Sequence, residues 1–121
     1  LSANQPPGPW RACGPALATV RSVAYCGGSG ASLMGAAHAA GADVYVTGDM
    51  KYHQALEAPL AVIDVGHFLL EEEMMRRLSV GLSEALAGAG VEVRFFKGAD
   101  PFGFHFPAGG GEEGQTAGPR R

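Results

Sequence analysis

Four short apolar runs punctuate the chain: "VRSVAYC" (20–26), "DVYVTG" (43–48), "LAVIDVG" (60–66) and "VEVRFF" (91–96), each bounded by Gly, Pro or Asp. Runs of this length and β-branched content read as strands. Helical patterns fall between them, over about 31–40, 50–57 and 68–88, the last closing at Gly88 and Gly90, where a helix stop is expected. The alternation predicts an α/β domain, β-α-β-α-β-α-β, with an at least partly parallel sheet. In such a sheet ligands collect outside the carboxyl ends of the strands, so the loops "CGGSGAS", "TGDMKYH" and "DVGHFLLE" are expected to share one edge. Residues 1–19 read as a linker or lead-in, 20–106 as the folded unit and 107–121, rich in Gly and polar groups, as a disordered tail. The chain opens at Leu1 with the Pro-rich "LSANQPPGPW", which reads as the interior of something longer, so a fragment is expected.

Composition excludes several classes. A chain of 121 residues with 46% hydrophobic content is one domain with a modest core. A net charge of −3, with nine scattered Lys and Arg, gives no footprint for nucleic acid or an acidic membrane surface. No apolar run approaches the ~20 residues that span a bilayer, and no signal peptide is visible. Cys13 and Cys26 lack C-x-x-C spacing and read as thiols of a reducing, cytoplasmic compartment.

The chemistry concentrates in the loops. In "GHFLLEEEMMRR" a helix starting near Phe68 puts Arg76 one turn after Glu72 and Arg77 one turn after Glu73, the pattern of solvent-facing ion pairs. Glu71 instead heads the stripe Met75, Leu78, Leu82, Leu86 on the side expected to be buried, with His67 one turn behind it. His67 and Glu71 form an H-x-x-x-E pair that can converge on one point. It reads either as a hydrogen-bonded pair or as two ligands for Zn, Fe or Mn. Asp49 and His53 repeat the four-residue spacing one strand earlier, where Asp49 can cap a helix beginning at Met50, support the site, or do both. "CGGSGAS" is a strand-to-helix turn whose amides could hold an anion or whose glycines merely relieve crowding. It lacks the full dinucleotide-binding spacing, and Ser29 and Ser32 have no base nearby in sequence. His38 reads as a solvent-facing helix-end residue, and the "FGFHF" segment around His105 as aromatic core packing.

Taken in order, "VAYCGGSGASLM", "GADVYVTGDMKYHQALEA", "AVIDVGHFLLEE" and "VEVRFFKGADPF" resemble the C-terminal half of the Nif-three-like dinuclear-metal-centre proteins, also called GTP cyclohydrolase I type 2 homologues. The resemblance runs from about Val20 to Phe102. It implies that His67 and Glu71 are metal ligands and that the function is metal-dependent and hydrolase-like on a nucleotide such as GTP. A non-catalytic metal-binding or interaction module is the alternative. Asp49 and His53 would be supporting or proton-transfer groups, and Gly27, Gly28 and Gly30 a ligand-facing turn. It further implies a homo-oligomer. Phe68 and Leu70 replace the Tyr and Thr frequent in the family motif, which removes two hydroxyls but leaves the ligands. The family's remaining ligands lie in an N-terminal half that these residues do not include, so half of a metal site is expected.

Overall fold

The computed structural model describes residues 8–108. Strands β1 (Arg11–Cys13), β2 (Val23–Tyr25), β3 (Val44–Thr47) and β4 (Ala61–Asp64) form a mixed sheet in the order β1-β4-β3-β2. Strands β2, β3 and β4 run parallel, with Tyr25 beside Val46 and Thr47 beside Asp64, whereas β1 is antiparallel to β4 and pairs Arg11 with Asp64. The connections carry a 3₁₀ turn (Ala31–Leu33), α1 (Met34–Ala39) and α2 (Tyr52–Leu56), and α3 (Phe68–Ala85) follows β4. The α/β class and the partly parallel sheet expected from the alternation are therefore present.

The register decides where function can sit. Three parallel strands end together, so the loops after Tyr25, Thr47 and Asp64 emerge on one edge, and the antiparallel β1 starts there with Arg11. The core behind that edge is Met34, Ala37, Tyr45, Met50, Leu60 and Val62, with Cys13, Ala24 and Cys26 packed against it. Both cysteines are free thiols, and burial, then the charge of Asp64, pushes the Cys13 thiol above its ordinary pKa. Among the described residues no helix is long and apolar enough to cross a membrane.

Three expectations are corrected. Residues 91–96 are not a strand: they join no ladder and lead to Gly98, whose N–H donates to Glu72 Oε1 at 2.7 Å. The edge of β4 is occupied instead by β1, from the stretch expected to be lead-in, because Arg11 is drawn to the carboxylate of Asp64. The α3 stripe is not buried either. Met75, Leu78 and Leu82 remain 55%, 51% and 43% exposed, since the core among the described residues is built from the strands, α1, Met50 and Leu60, with nothing from α3. Of the expected disordered tail, residues 109–121 lie outside the described residues.

Candidate metal centre at the strand-end edge

Thr47 and Tyr45 of β3 fix the first loop. The fully buried Thr47 hydroxyl accepts the Gly30 N–H at 2.9 Å and donates to Gly28 O at 3.2 Å, while the Tyr45 hydroxyl donates to Gly30 O at 2.7 Å. The Gly30 amide is thus spent inside the protein, which weighs for the tight-turn reading of "CGGSGAS" over the anion cradle. Gly28 faces the edge at φ +69, and a Cβ there would lie 3.0 Å from Glu71 Oε1 and 3.3 Å from His67 Cε1, so a side chain would intrude on that pair. The second and third loops meet backbone to backbone, with a Cβ on Gly48 falling 2.2 Å from Gly66 O.

Asp64, at the end of β4 and only 4% exposed, ties these loops together. Its Oδ1 accepts the N–H of Asp49 at 3.1 Å and of Gly66 at 2.9 Å; its Oδ2 accepts the N–H of Met50 at 3.0 Å and a guanidinium N–H of Arg11. Burial alone would raise the pKa of this carboxyl, but the hydrogen bonds from Gly66, Arg11 and Met50 outweigh it and hold it below the usual range. Asp49 adopts φ +55, a left-handed conformation that Asp enters more readily than most residues but that still costs ~1–3 kcal/mol and persists only where its surroundings enforce it.

That conformation sends the Asp49 carboxylate to His67: Oδ2 lies 2.8 Å from Nδ1. On the other side of the ring, Nε2 lies 3.0 Å from Glu71 Oε1, one helical turn along α3. Both side chains are about half exposed, at 49% and 50%. The hydrogen bond that the ring donates to Asp49, then the charge of Glu71, raises the pKa of His67. When the ring is neutral and carries its proton on Nδ1, Nε2 and Glu71 Oε1 are two acceptors in contact, and only a proton or a cation between them relieves the clash. A separation of 3.0 Å is an ordinary hydrogen-bond length, and it is also close to what two ligands at right angles hold on one ion with bonds of about 2.0–2.2 Å. The donor set therefore fits a divalent metal, with Asp49 fixing the ring tautomer as carboxylates do behind metal-bound histidines. It is not a complete cage, for among the described residues no group of three or more His, Cys, Asp or Glu converges on one point.

These polar groups floor a basin of about 920 Å³. Its walls are aromatic: Trp10, Phe68, Phe102, Phe104 and Phe106 line it. Phe102, Phe104 and Phe106 are mostly exposed, which overturns the expectation that "FGFHF" packs into the core, and His105 is exposed as well.

Of the residues singled out in sequence, His67, Glu71, Asp49 and Gly28 come together. His53 does not: it sits on α2, stacked edge-on against Tyr52 with ring centres 5.5 Å apart, and does not line the basin. The helix-cap alternative for Asp49 falls, since α2 begins after Lys51 and the Lys51 N–H is taken by Gln54 Oε1 at 2.9 Å. The expected Glu73–Arg77 pair is present, whereas Arg76 pairs with Glu73 and not with Glu72. Glu73, only 11% exposed, accepts from Arg76 at 2.8 and 2.9 Å and from Arg77 at 2.8 Å. Those bonds, the Arg76 bond first, hold its carboxyl far below the usual range. Glu72 turns to the Gly98 amide. Arg11 and Asp64 escaped the sequence reading, although a charged residue inside the apolar run "AVIDVG" signals a buried group that needs partners.

The sequence pattern of the family described as Duf34/NIF3 (NGG1p interacting factor 3) matches residues 2–101. A protein of Streptomyces coelicolor named GTP cyclohydrolase 1 type 2 homolog is 45% identical over 65 residues, which is 50% of this chain and 23% of that protein. One of the same name from Campylobacter jejuni is 36% identical over 86 residues, 69% of this chain and 33% of that protein. Among solved structures, a Bacillus cereus protein related to NIF3 superposes with TM-score 0.67 at 36% identity, covering 81% of this chain and 28% of that one. This chain thus spans about a quarter to a third of the length of these relatives. It belongs to the Duf34/NIF3 family.

Proposed function

We propose that this chain supplies part of a metal-dependent, hydrolase-like protein. His67 and Glu71 contribute two ligands to a dinuclear centre of Zn, Fe or Mn, other parts of the longer protein complete it, and the basin takes a nucleotide-like small molecule such as GTP. The observation that carries this reading is the ring of His67 held between two carboxylates, with Nε2 and Glu71 Oε1 3.0 Å apart. A bound divalent ion would act there as a Lewis acid and as a source of hydroxide near neutral pH. The chain's own residues do the positioning. Asp49 holds the Nδ1 proton and leaves Nε2 as a donor atom; Glu71 adds the negative charge that favours a cation over a neutral ligand. The aromatic walls at Trp10, Phe68 and Phe104 offer faces on which a purine could stack beside the polar floor.

The test is GTP hydrolysis by a protein that joins these residues to the N-terminal portion of a family relative, assayed with Zn or Mn and after chelation. Turnover that disappears on chelation and in His67→Ala and Glu71→Gln supports the reading, and turnover that survives His67→Ala contradicts it.

A second reading, a non-catalytic metal-binding or interaction module, is favoured by the outer turns of α3, where Met75, Leu78 and Leu82 leave an apolar stripe uncovered. In that case the same protein binds metal without turnover, and the stripe serves assembly, for instance as a homo-oligomer.

A further inference from the structure

Among the described residues, two polar side chains are buried, Thr47 and Asp64. Thr47 is explained by the glycine turn it clamps. Asp64 makes no hydrogen bond to His67 or Glu71, yet each of its oxygens holds a loop that carries the metal-centre residues. Oδ1 takes the N–H of Asp49 and the N–H of Gly66, the residue before His67; Oδ2 takes the N–H of Met50, the residue after Asp49. Arg11, reaching from β1, donates both to Oδ2 and to Met50 O at 3.1 Å, so the outer strand braces the same knot.

A carboxylate recruited only for stability needs partners, but it need not span two loops. Here one oxygen bridges the loops that carry the two members of the Asp49–His67 pair. It does so at a backbone, φ +55 for Asp49, that does not persist without enforcement. We propose that Asp64 is a positioning residue for the metal centre. Without touching a ligand, it locks Asp49 in its left-handed conformation and sets the distance to the His67 loop, so that the Asp49 carboxylate keeps the ring proton on Nδ1 and leaves Nε2 facing Glu71. The proposal rests on the reading of His67 as a metal ligand for its purpose, though the positioning itself is a property of the metal-free chain.

Imidazole ¹⁵N NMR of the 121-residue chain tests it at a pH that leaves His67 neutral. The Glu71→Gln background removes the competing carboxylate on Nε2. In that background the ring should carry its proton on Nδ1. Asp49→Asn should shift it to the Nε2–H form that a free side chain prefers, and Asp64→Asn should produce the same shift although Asp49 is intact. The double variant should shift no further, because the two residues act in series. A folded Asp64→Asn chain with the proton still on Nδ1 overturns the proposal. If Asp64→Asn does not fold, Arg11→Gln, which loosens the carboxylate without burying a new amide, takes its place under the same criterion. In a Glu71-intact chain, zinc titration should show Asp64→Asn weakening binding about 10–100-fold, as loss of an outer partner of a metal-bound His does. Zinc binding insensitive to His67→Ala would remove the metal reading, while the tautomer result would still decide the role of Asp64.

Discussion

The strand-end edge and the outer turns of α3 are built on opposite terms. At the edge, Asp64, Thr47 and Asp49 spend their polar atoms on named neighbours within the chain, and no buried side-chain N or O among the described residues lacks a partner. On α3 the helical period is faithful, yet the side chains it aligns find no opposing surface among the described residues and stay about half exposed. The difference teaches that a polar knot carries its own partners wherever its loops fold. An apolar stripe states only what a helix is able to bury, and the surface that covers it need not belong to the same stretch of chain.

That contrast can be broken by substitution. Asp64→Ala strips partners from three backbone N–H groups and from Arg11, and it should lower unfolding stability by about 3 kcal/mol, the order of a buried donor set left unsatisfied. Thr47→Val keeps the shape but orphans the Gly30 amide, for an expected loss of ~1–3 kcal/mol. Both are read by urea denaturation. The Asp64 carboxyl also has a sign in pH. Its folded pKa lies below the unfolded value of ~3.9, so its contribution is complete above that pH and drains away as pH falls through the folded value. Acid titration of stability should therefore be steeper below about pH 4 in the wild-type chain than in Asp64→Ala. The smallest effect belongs to α3: Leu78→Ala should stay within about 0.5 kcal/mol, as an exposed site does. A loss of the ~2–5 kcal/mol typical of a buried Leu would erase the comparison.

What was legible in sequence follows the same division. The parallel strands and the shared loop edge could be read because "VRSVAYC", "DVYVTG" and "LAVIDVG" carry their signals locally, and helical spacing alone placed Glu71 against His67. Strand β1 was hidden because "RAC" has no strand pattern of its own and becomes a strand only through Arg11 meeting Asp64, 53 residues away. "VEVRFF" misled in the opposite direction: its period-two pattern is real, with Val93 and Phe95 more buried than Val91 and Phe96, but the edge it would have joined is taken. The i,i+4 spacing found the Glu73–Arg77 pair, but the turn of Arg76 to Glu73 and not to Glu72 depends on side-chain directions that the spacing does not specify.

The central claim is that His67 and Glu71 are two ligands of a centre whose remaining ligands lie elsewhere. Calorimetric titration of the 121-residue chain with Zn or Mn, beside His67→Ala and Glu71→Gln, tests it most directly. The account predicts weak binding by the chain, with a Kd no tighter than micromolar, and its loss in both variants. Sub-micromolar binding, more than about 8 kcal/mol, would contradict the half-site, and equal binding by the variants would remove both residues from the metal altogether.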